Sequence, residues 1–197
     1  MSETVLGLLR HGQTDWNIDF KLQGVTDIPL NETGIGQARD AARAIDSNEW
    51  DLIVSSPLSR AVATAEIVSK ENNFGPIKIE PLLLERSFGE AEGLSYEDWK
   101  SKYTDSNAVP GAETLMELEA RARLLLEGML RDFRGKRILA ISHGALIRKL
   151  LKITSAGQLP REGERLGNAS LNVLVHTGNH WIVELYEPRT LHLDLHH

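Results

Sequence analysis

Thr4–Gly12, TVLGLLRHG, is the stretch on which the fold reading turns: an apolar run of strand length stops abruptly at Arg10-His11-Gly12. Lys136–Gly144, KRILAISHG, repeats the pattern and stops at His143-Gly144. Short apolar runs without polar alternation read as strands buried on both faces, the habit of parallel sheets. Strands are therefore expected at Thr4–Leu9 and Lys136–Ser142. Working outward, Asp51–Ser55 (DLIVS) reads as a strand stopped by Ser56-Pro57, and Ile77–Glu80 as a short strand between prolines. Helical spacing appears over Thr33–Ile45, Ser59–Ser69 with Ser59 as N-cap, Glu113–Phe133 and Ala145–Leu151. In the long helix Leu115, Leu118, Ala122, Leu125, Leu126 and Met129 form the apolar face. Ala169–His176 and His180–Tyr186, joined by Thr177-Gly178-Asn179, read as a closing hairpin. Strands alternating with helices predict an α/β fold with a largely parallel central sheet.

Composition bounds the rest. The 197 residues suit one domain, expected over residues 1–190 with a C-terminal tail at 191–197, where His196 and His197 resemble a tag remnant. Hydrophobic residues make up 41% and charged residues 25%, as in soluble globular proteins. No apolar run reaches the roughly 18–20 residues that span a bilayer, and MSETVLGLLRHG lacks the pattern of a signal peptide, so a cytoplasmic location without membrane partner is expected. No cysteine is present, which removes disulfides and thiolate metal sites. The net charge of −6 argues against a nucleic-acid partner. A phosphorylated ligand then requires positive charge concentrated locally, for which Arg10, Arg60, His11 and His143 are the candidates.

In a parallel α/β sheet the carboxyl ends of the strands share one edge, where ligands bind. The two strand-end histidines, far apart in sequence, are expected to meet there. Neutral imidazole is a strong nucleophile near neutral pH, and neighbouring arginines keep it neutral by lowering its pKa. Arg10 and Arg60, the latter from the turn SSPLSRA, suit phosphoryl oxygens through their fork of donors. Glu85, after the apolar run Pro81–Leu84, is a candidate proton donor to a leaving alkoxide. The region Glu85–Gly111 is punctuated by glycine and proline and reads as a cap over the site, about residues 86–112, with Trp99 and Tyr103 as packing anchors.

These motifs together resemble the histidine phosphatase superfamily, also called phosphoglycerate mutase-like, over nearly the whole chain. LLRHGQTDWN (Leu8–Asn17) is similar to the family signature. The others are D-x-P-L-x-x-x-G-x-x-Q-A (Asp27–Ala38), S-S-P-L-x-R-A-x-x-T-A (Ser55–Ala65), LLERSFGEAEG (Leu83–Gly93), PGAET (Pro110–Thr114) and SHG (Ser142–Gly144). The resemblance implies a three-layer α/β/α sandwich and a phosphoryl group carried on His11. By the same match Arg10, Arg60 and His143 hold that group, Glu85 is the acid, Asn17 contacts the phosphate, and Gln23, Gly24 and Gly144 lie close to the site. It implies a small phosphorylated metabolite as substrate, with no metal and no other cofactor.

Three readings of the activity remain. One is a phosphatase, in which water takes the phosphate from His11. Another is a cofactor-dependent phosphoglycerate mutase, which returns it to substrate. The last is a non-catalytic phosphoester-binding protein. Phosphatase is favoured because Ser95–Ala112 holds only Lys100 and Lys102 against Glu97, Asp98 and Asp105, few cations for a bisphosphate. Specificity is assigned to Phe20, Leu22, Phe88 and the Glu90–Ala112 cap. Glu113 reads equally as a helix N-terminal residue or a site residue, Arg121 and Glu92 as structural ion-pair members, and His176, His180 and His192 as surface histidines. A homodimer is compatible with the sequence, which does not require one.

Overall fold

The computed structural model describes residues 3–190. In chain order these form β1 (Thr4–Arg10), α1 (Asp15–Ile18), α2 (Glu32–Ala44), β2 (Leu52–Ser55), α3 (Ser59–Asn72), β3 (Lys78–Ile79), α4 (Tyr96–Lys102), α5 (Leu115–Asp132), β4 (Arg137–Ser142), α6 (Gly144–Thr154), β5 (Glu164–Leu166), β6 (Leu171–His176), β7 (Trp181–Leu185) and β8 (Pro188–Thr190). The main sheet runs β3-β2-β4-β1-β6-β7. Its first four strands pair in parallel, and the β6–β7 hairpin joins antiparallel beside β1. The expected mixed fold, a largely parallel sheet closed by a terminal hairpin, is therefore present. The expected tail, residues 191–197, lies outside the described residues.

Alternation along the central strands makes the three layers. Leu6 and Leu8 of β1 with Ile138 and Ala140 of β4 pack against α5 and α6 through Leu118, Leu125 and Leu150. Val5 and Leu9 with Leu139 and Ile141 face the other way, against Ala42 of α2 and Ala61, Ala65 and Val68 of α3. A period of two along each strand thus delivers apolar side chains to both faces, which is why the strand interiors at 5–9 and 138–141 carry no polar residue. The residue after each strand has no layer left to fill and is turned toward the sheet edge. Among the described residues no helix is long and apolar enough to cross a membrane.

Several local expectations are corrected. Ser59 does not cap α3; Leu58 holds that position without a side-chain bond, and Asp27 Oδ1 accepts from Ser59 N at 2.8 Å and Ser59 Oγ at 2.7 Å. The cap comes from another loop. Helix α5 starts two residues later than expected, at Leu115, because Thr114 forms a capping box with Glu117. Leu115 consequently leaves the apolar face and is 43% exposed, whereas Leu118, Ala122, Leu125, Leu126 and Met129 are buried as expected. Two short helices, α1 and α4, stand where the sequence pattern predicts none; Thr14 caps the first and Ser95 the second. The cap segment is accordingly more regular than its glycines imply.

Candidate active site

The edge where β1 and β4 end carries His11 and His143, with ring centroids 5.1 Å apart. His11 is 2% exposed. Its Nδ1 lies 2.7 Å from the carbonyl oxygen of Gly12. A carbonyl only accepts, so Nδ1 carries the proton and Nε2 keeps its lone pair. Burial first, then the charges of Arg10 and Arg60, lowers the pKa of His11 well below its ordinary value, against a smaller upward pull from Gly12. The ring is therefore neutral at neutral pH. The RHG turn is set by backbone contact: Gly12 packs on Gly34 of α2 with no room for a Cβ between them.

Arg60 comes from the first turn of α3 and is fully buried. Its Nη1 donates to Thr26 O at 2.9 Å and its Nη2 to Gly24 O at 2.7 Å, while Nε has no partner among the described residues. The fork is thereby aimed before any ligand arrives. Gly24 sits at φ 54° against Glu92, a place without room for a Cβ. Glu92 is not the ion-pair member expected; its carboxylate accepts from Val25 N, Thr26 N, Thr26 Oγ1 and Phe88 N and so ties the Arg60 loop to the cap. Arg10 donates from Nη1 to Leu166 O at 2.6 Å.

Glu85 sits at the start of α6. Its Oε1 accepts from Arg86 N at 2.9 Å and Leu146 N at 3.1 Å, and its Oε2 from Ala145 N at 3.1 Å. A carboxylate offers about four lone-pair directions, so roughly one is left for a ligand. Glu113 is neither a helix residue nor a wall of the cleft. Arg121 holds both its oxygens, at 2.8 and 2.7 Å, and the same guanidinium donates to Leu82 O and Leu84 O. Arg121 is thus the ion-pair member expected, fastened to the segment that ends at Glu85.

His143 is fully buried and absent from the cleft wall. Its Nε2 lies 2.7 Å from Ser56 Oγ, and its Nδ1 has no partner among the described residues. Burial, then the charges of His11, Arg60 and Arg10, lowers its pKa well below the ordinary value. Gln23 is buried and accepts from Thr14 Oγ1 at 2.9 Å. Oδ1 of Asn17 accepts from Thr14 and Asn168, leaving its Nδ2 as the donor available to a ligand.

Arg10, His11, Asn17, Gln23, Gly24, Arg60, Glu85 and Gly144 line one cleft of about 920 Å³. Sequence reasoning missed the segment Gly163–Asn168, which closes one side and supplies Arg165 and Asn168, and it missed Arg148 of α6. The spacing of glycines and Asn168 ahead of the last hairpin is the one signal that could have found that segment. Six cations line the cleft (Arg10, Lys21, Arg60, Lys100, Arg148, Arg165) against Glu85 and Glu164. The local positive charge demanded by a net −6 chain is present. It also corrects the cation argument against a mutase, because cations from outside the cap reach the cleft. Among the described residues no group of three or more His, Cys, Asp or Glu side chains is arranged to hold a metal ion.

A parallel-sheet edge with two buried histidines between arginines defines a phosphoryl-handling class, and residues 6–188 match the Histidine phosphatase superfamily (branch 1), to which this chain belongs. It is an enzyme of the phosphatase class. A Bacillus subtilis (strain 168) protein named Uncharacterized phosphatase PhoE is 39% identical over 183 residues, 93% of this chain and 94% of its own. A Photorhabdus laumondii protein named Probable phosphoglycerate mutase GpmB is 35% identical over 188 residues, 89% of this chain and 86% of its own. A solved mycobacterial glucosyl-3-phosphoglycerate phosphatase, complexed with VO3, is 26% identical with a TM-score of 0.79, covering 94% of this chain and 99% of that one.

Proposed function

We propose that the chain is a phosphomonoesterase that hydrolyses a small phosphorylated metabolite in two steps through a phosphohistidine at His11. The observation that carries this reading is the orientation of His11, whose protonated Nδ1 is fixed on Gly12 O, leaving Nε2 as the nucleophile among arginines. In the first step the Nε2–P bond forms as the ester P–O bond breaks, and Glu85 gives a proton to the leaving oxygen. In the second, water attacks phosphorus, Nε2 departs as neutral imidazole, and the Glu85 carboxylate takes the proton of the water. Arg10 and Arg60 carry the charge spread over the equatorial oxygens, the main contribution in phosphoryl transfer. With Ser56 giving its hydroxyl proton to Nε2 of His143, that ring carries its own proton on Nδ1, the donor left for a phosphoryl oxygen. Hydrolysis is preferred to mutase chemistry because the cleft is wide and its rim solvent-exposed, with Phe20 66% exposed, so water has access to His11.

The test pairs an alkyl phosphate with p-nitrophenyl phosphate and follows inorganic phosphate. The wild-type enzyme is expected to release phosphate in step with alcohol from both. Glu85→Gln should lower kcat on the alkyl ester by ~10²–10⁴-fold, the usual worth of a general acid, and spare the nitrophenyl ester, whose phenolate leaves unaided. Equal losses on both would assign Glu85 to positioning. Phosphate returned to an alcohol in place of release would establish the mutase.

A further inference from the structure

Two backbone groups, one at each end of a short relay of side chains, settle which way two amides point. Thr14 N, a donor only, lies 3.1 Å from Asn17 Oδ1, so the oxygen of Asn17 faces its own capping box. The carbonyl of His11, an acceptor only, lies 3.2 Å from Nδ2 of Asn168, so that nitrogen faces the nucleophile's peptide. The same Nδ2 donates to Asn17 Oδ1 at 3.1 Å, across 151 positions of sequence. Both hydrogens of the Asn168 amide are thereby used. Asn17 keeps one orientation, with Oδ1 held by Thr14 and Asn168 and Nδ2 left for a ligand in the cleft that both asparagines line.

The capping box alone is a weak support. Helix α1 has four residues and none of them is buried, and so short a helix has little stability of its own. Asn168 stands on firmer ground. Next to it, Ala169 N donates to Arg10 O at 3.1 Å and to His11 O at 3.2 Å, and Ser170 O accepts from Arg10 N at 3.0 Å. Ala169 is held at φ 55°, a left-handed conformation that alanine seldom adopts. The side chain of Asn168 thus projects from backbone fastened to the peptide of the nucleophile, and it fixes the Asn17 amide relative to His11. We infer that Asn168 is a positioning residue for phosphoryl transfer, which aims Nδ2–H of Asn17 at the phosphoryl group. The inference rests on the phosphomonoesterase reading and adds to it a residue that acts through Asn17. A misplacement of about 1 Å in such a group can cost ~10²-fold in rate.

A double-mutant cycle on the full chain with p-nitrophenyl phosphate separates aiming from simple support. Asn17→Ala is expected to lower kcat by ~10²–10³-fold, as for loss of one aimed donor. Asn168→Ala should lower kcat by roughly 10–100-fold, with a smaller change in KM. Its His11 carbonyl still has the Ala169 N–H, so the nucleophile stays in place. In the Asn17→Ala background the same Asn168→Ala change should cost less than about twofold, because nothing remains for it to aim. An equal fold loss in both backgrounds, the mark of a merely structural role, would overturn the inference and leave the phosphatase reading standing. So would near-wild-type activity in Asn168→Ala. Should the alanine variant fail to fold, Asn168→Asp carries the test, since it keeps the shape and removes both N–H donors. At least a tenfold loss is expected there, and wild-type activity would again overturn the inference. No turnover by the wild-type enzyme would overturn the phosphatase reading and the inference together.

Discussion

His11→Ala lowers kcat by at least ~10³-fold on any phosphomonoester the enzyme accepts, because the two-step route disappears with its nucleophile. The loss is read from steady-state turnover, and near-normal turnover would end the phosphohistidine account. The wild-type pH profile carries the same information. Burial, then Arg10 and Arg60, holds His11 well below 6.5, so the neutral ring persists on the acid side of that value. The acid limb of kcat/KM that belongs to His11 in the free enzyme should lie below pH 6.5; a limb above it contradicts the assignment. Stability moves in the same sense. His11 and His143 take up protons more readily when unfolded, so folding is unaffected by them above about pH 6.5 and weakens as the pH falls below it.

Arg60→Lys should cost ~10²–10³ in kcat, the typical loss of one donor aimed at developing charge. Lysine keeps the charge but loses the fork, and at this position the fork performs two tasks. Both Nη groups hold the carbonyls of Gly24 and Thr26, and in the proposed reaction the same guanidinium, which lines the cleft, also bears on the transferring group. The fall in kcat should therefore exceed the rise in KM, and it should appear equally on alkyl and nitrophenyl esters, unlike that of Glu85→Gln. Wild-type activity in Arg60→Lys would remove Arg60 from the site.

Features of this molecule that local sequence dictates are legible in the chain itself. Continuous apolar runs at 5–9 and 138–141 specify strands covered on both faces, and a parallel pairing of β1 with β4 then brings His11 and His143 together without further information. Whatever depends on a distant partner is not legible. Ser59 looks like an N-cap by type, yet the capping oxygen belongs to Asp27. Glu92 looks like half of an ion pair, yet its oxygens accept backbone N–H groups of a loop far away in sequence. Arg148 and Arg165 sit in segments with no phosphate signature and reach the cleft only because α6 and β5 flank it. Helices α1 and α4 are too short to display a 3.6-residue period, so only their caps announce them. Glu85 lies in the cleft as its sequence context implies, but two of its three backbone donors, Ala145 N and Leu146 N, follow from the docking of α6; only Arg86 N is a neighbour in sequence.

The central claim is a covalent bond between Nε2 of His11 and phosphorus, and rapid quenching with ³²P-labelled substrate tests it directly. Enzyme mixed with substrate, stopped in base and digested should yield label on the peptide containing His11, stable to alkali and lost in acid. The label should approach one per chain before steady state and be absent from His11→Ala. Full turnover of the wild-type enzyme with no labelled peptide, or with label on any other residue, would contradict the account.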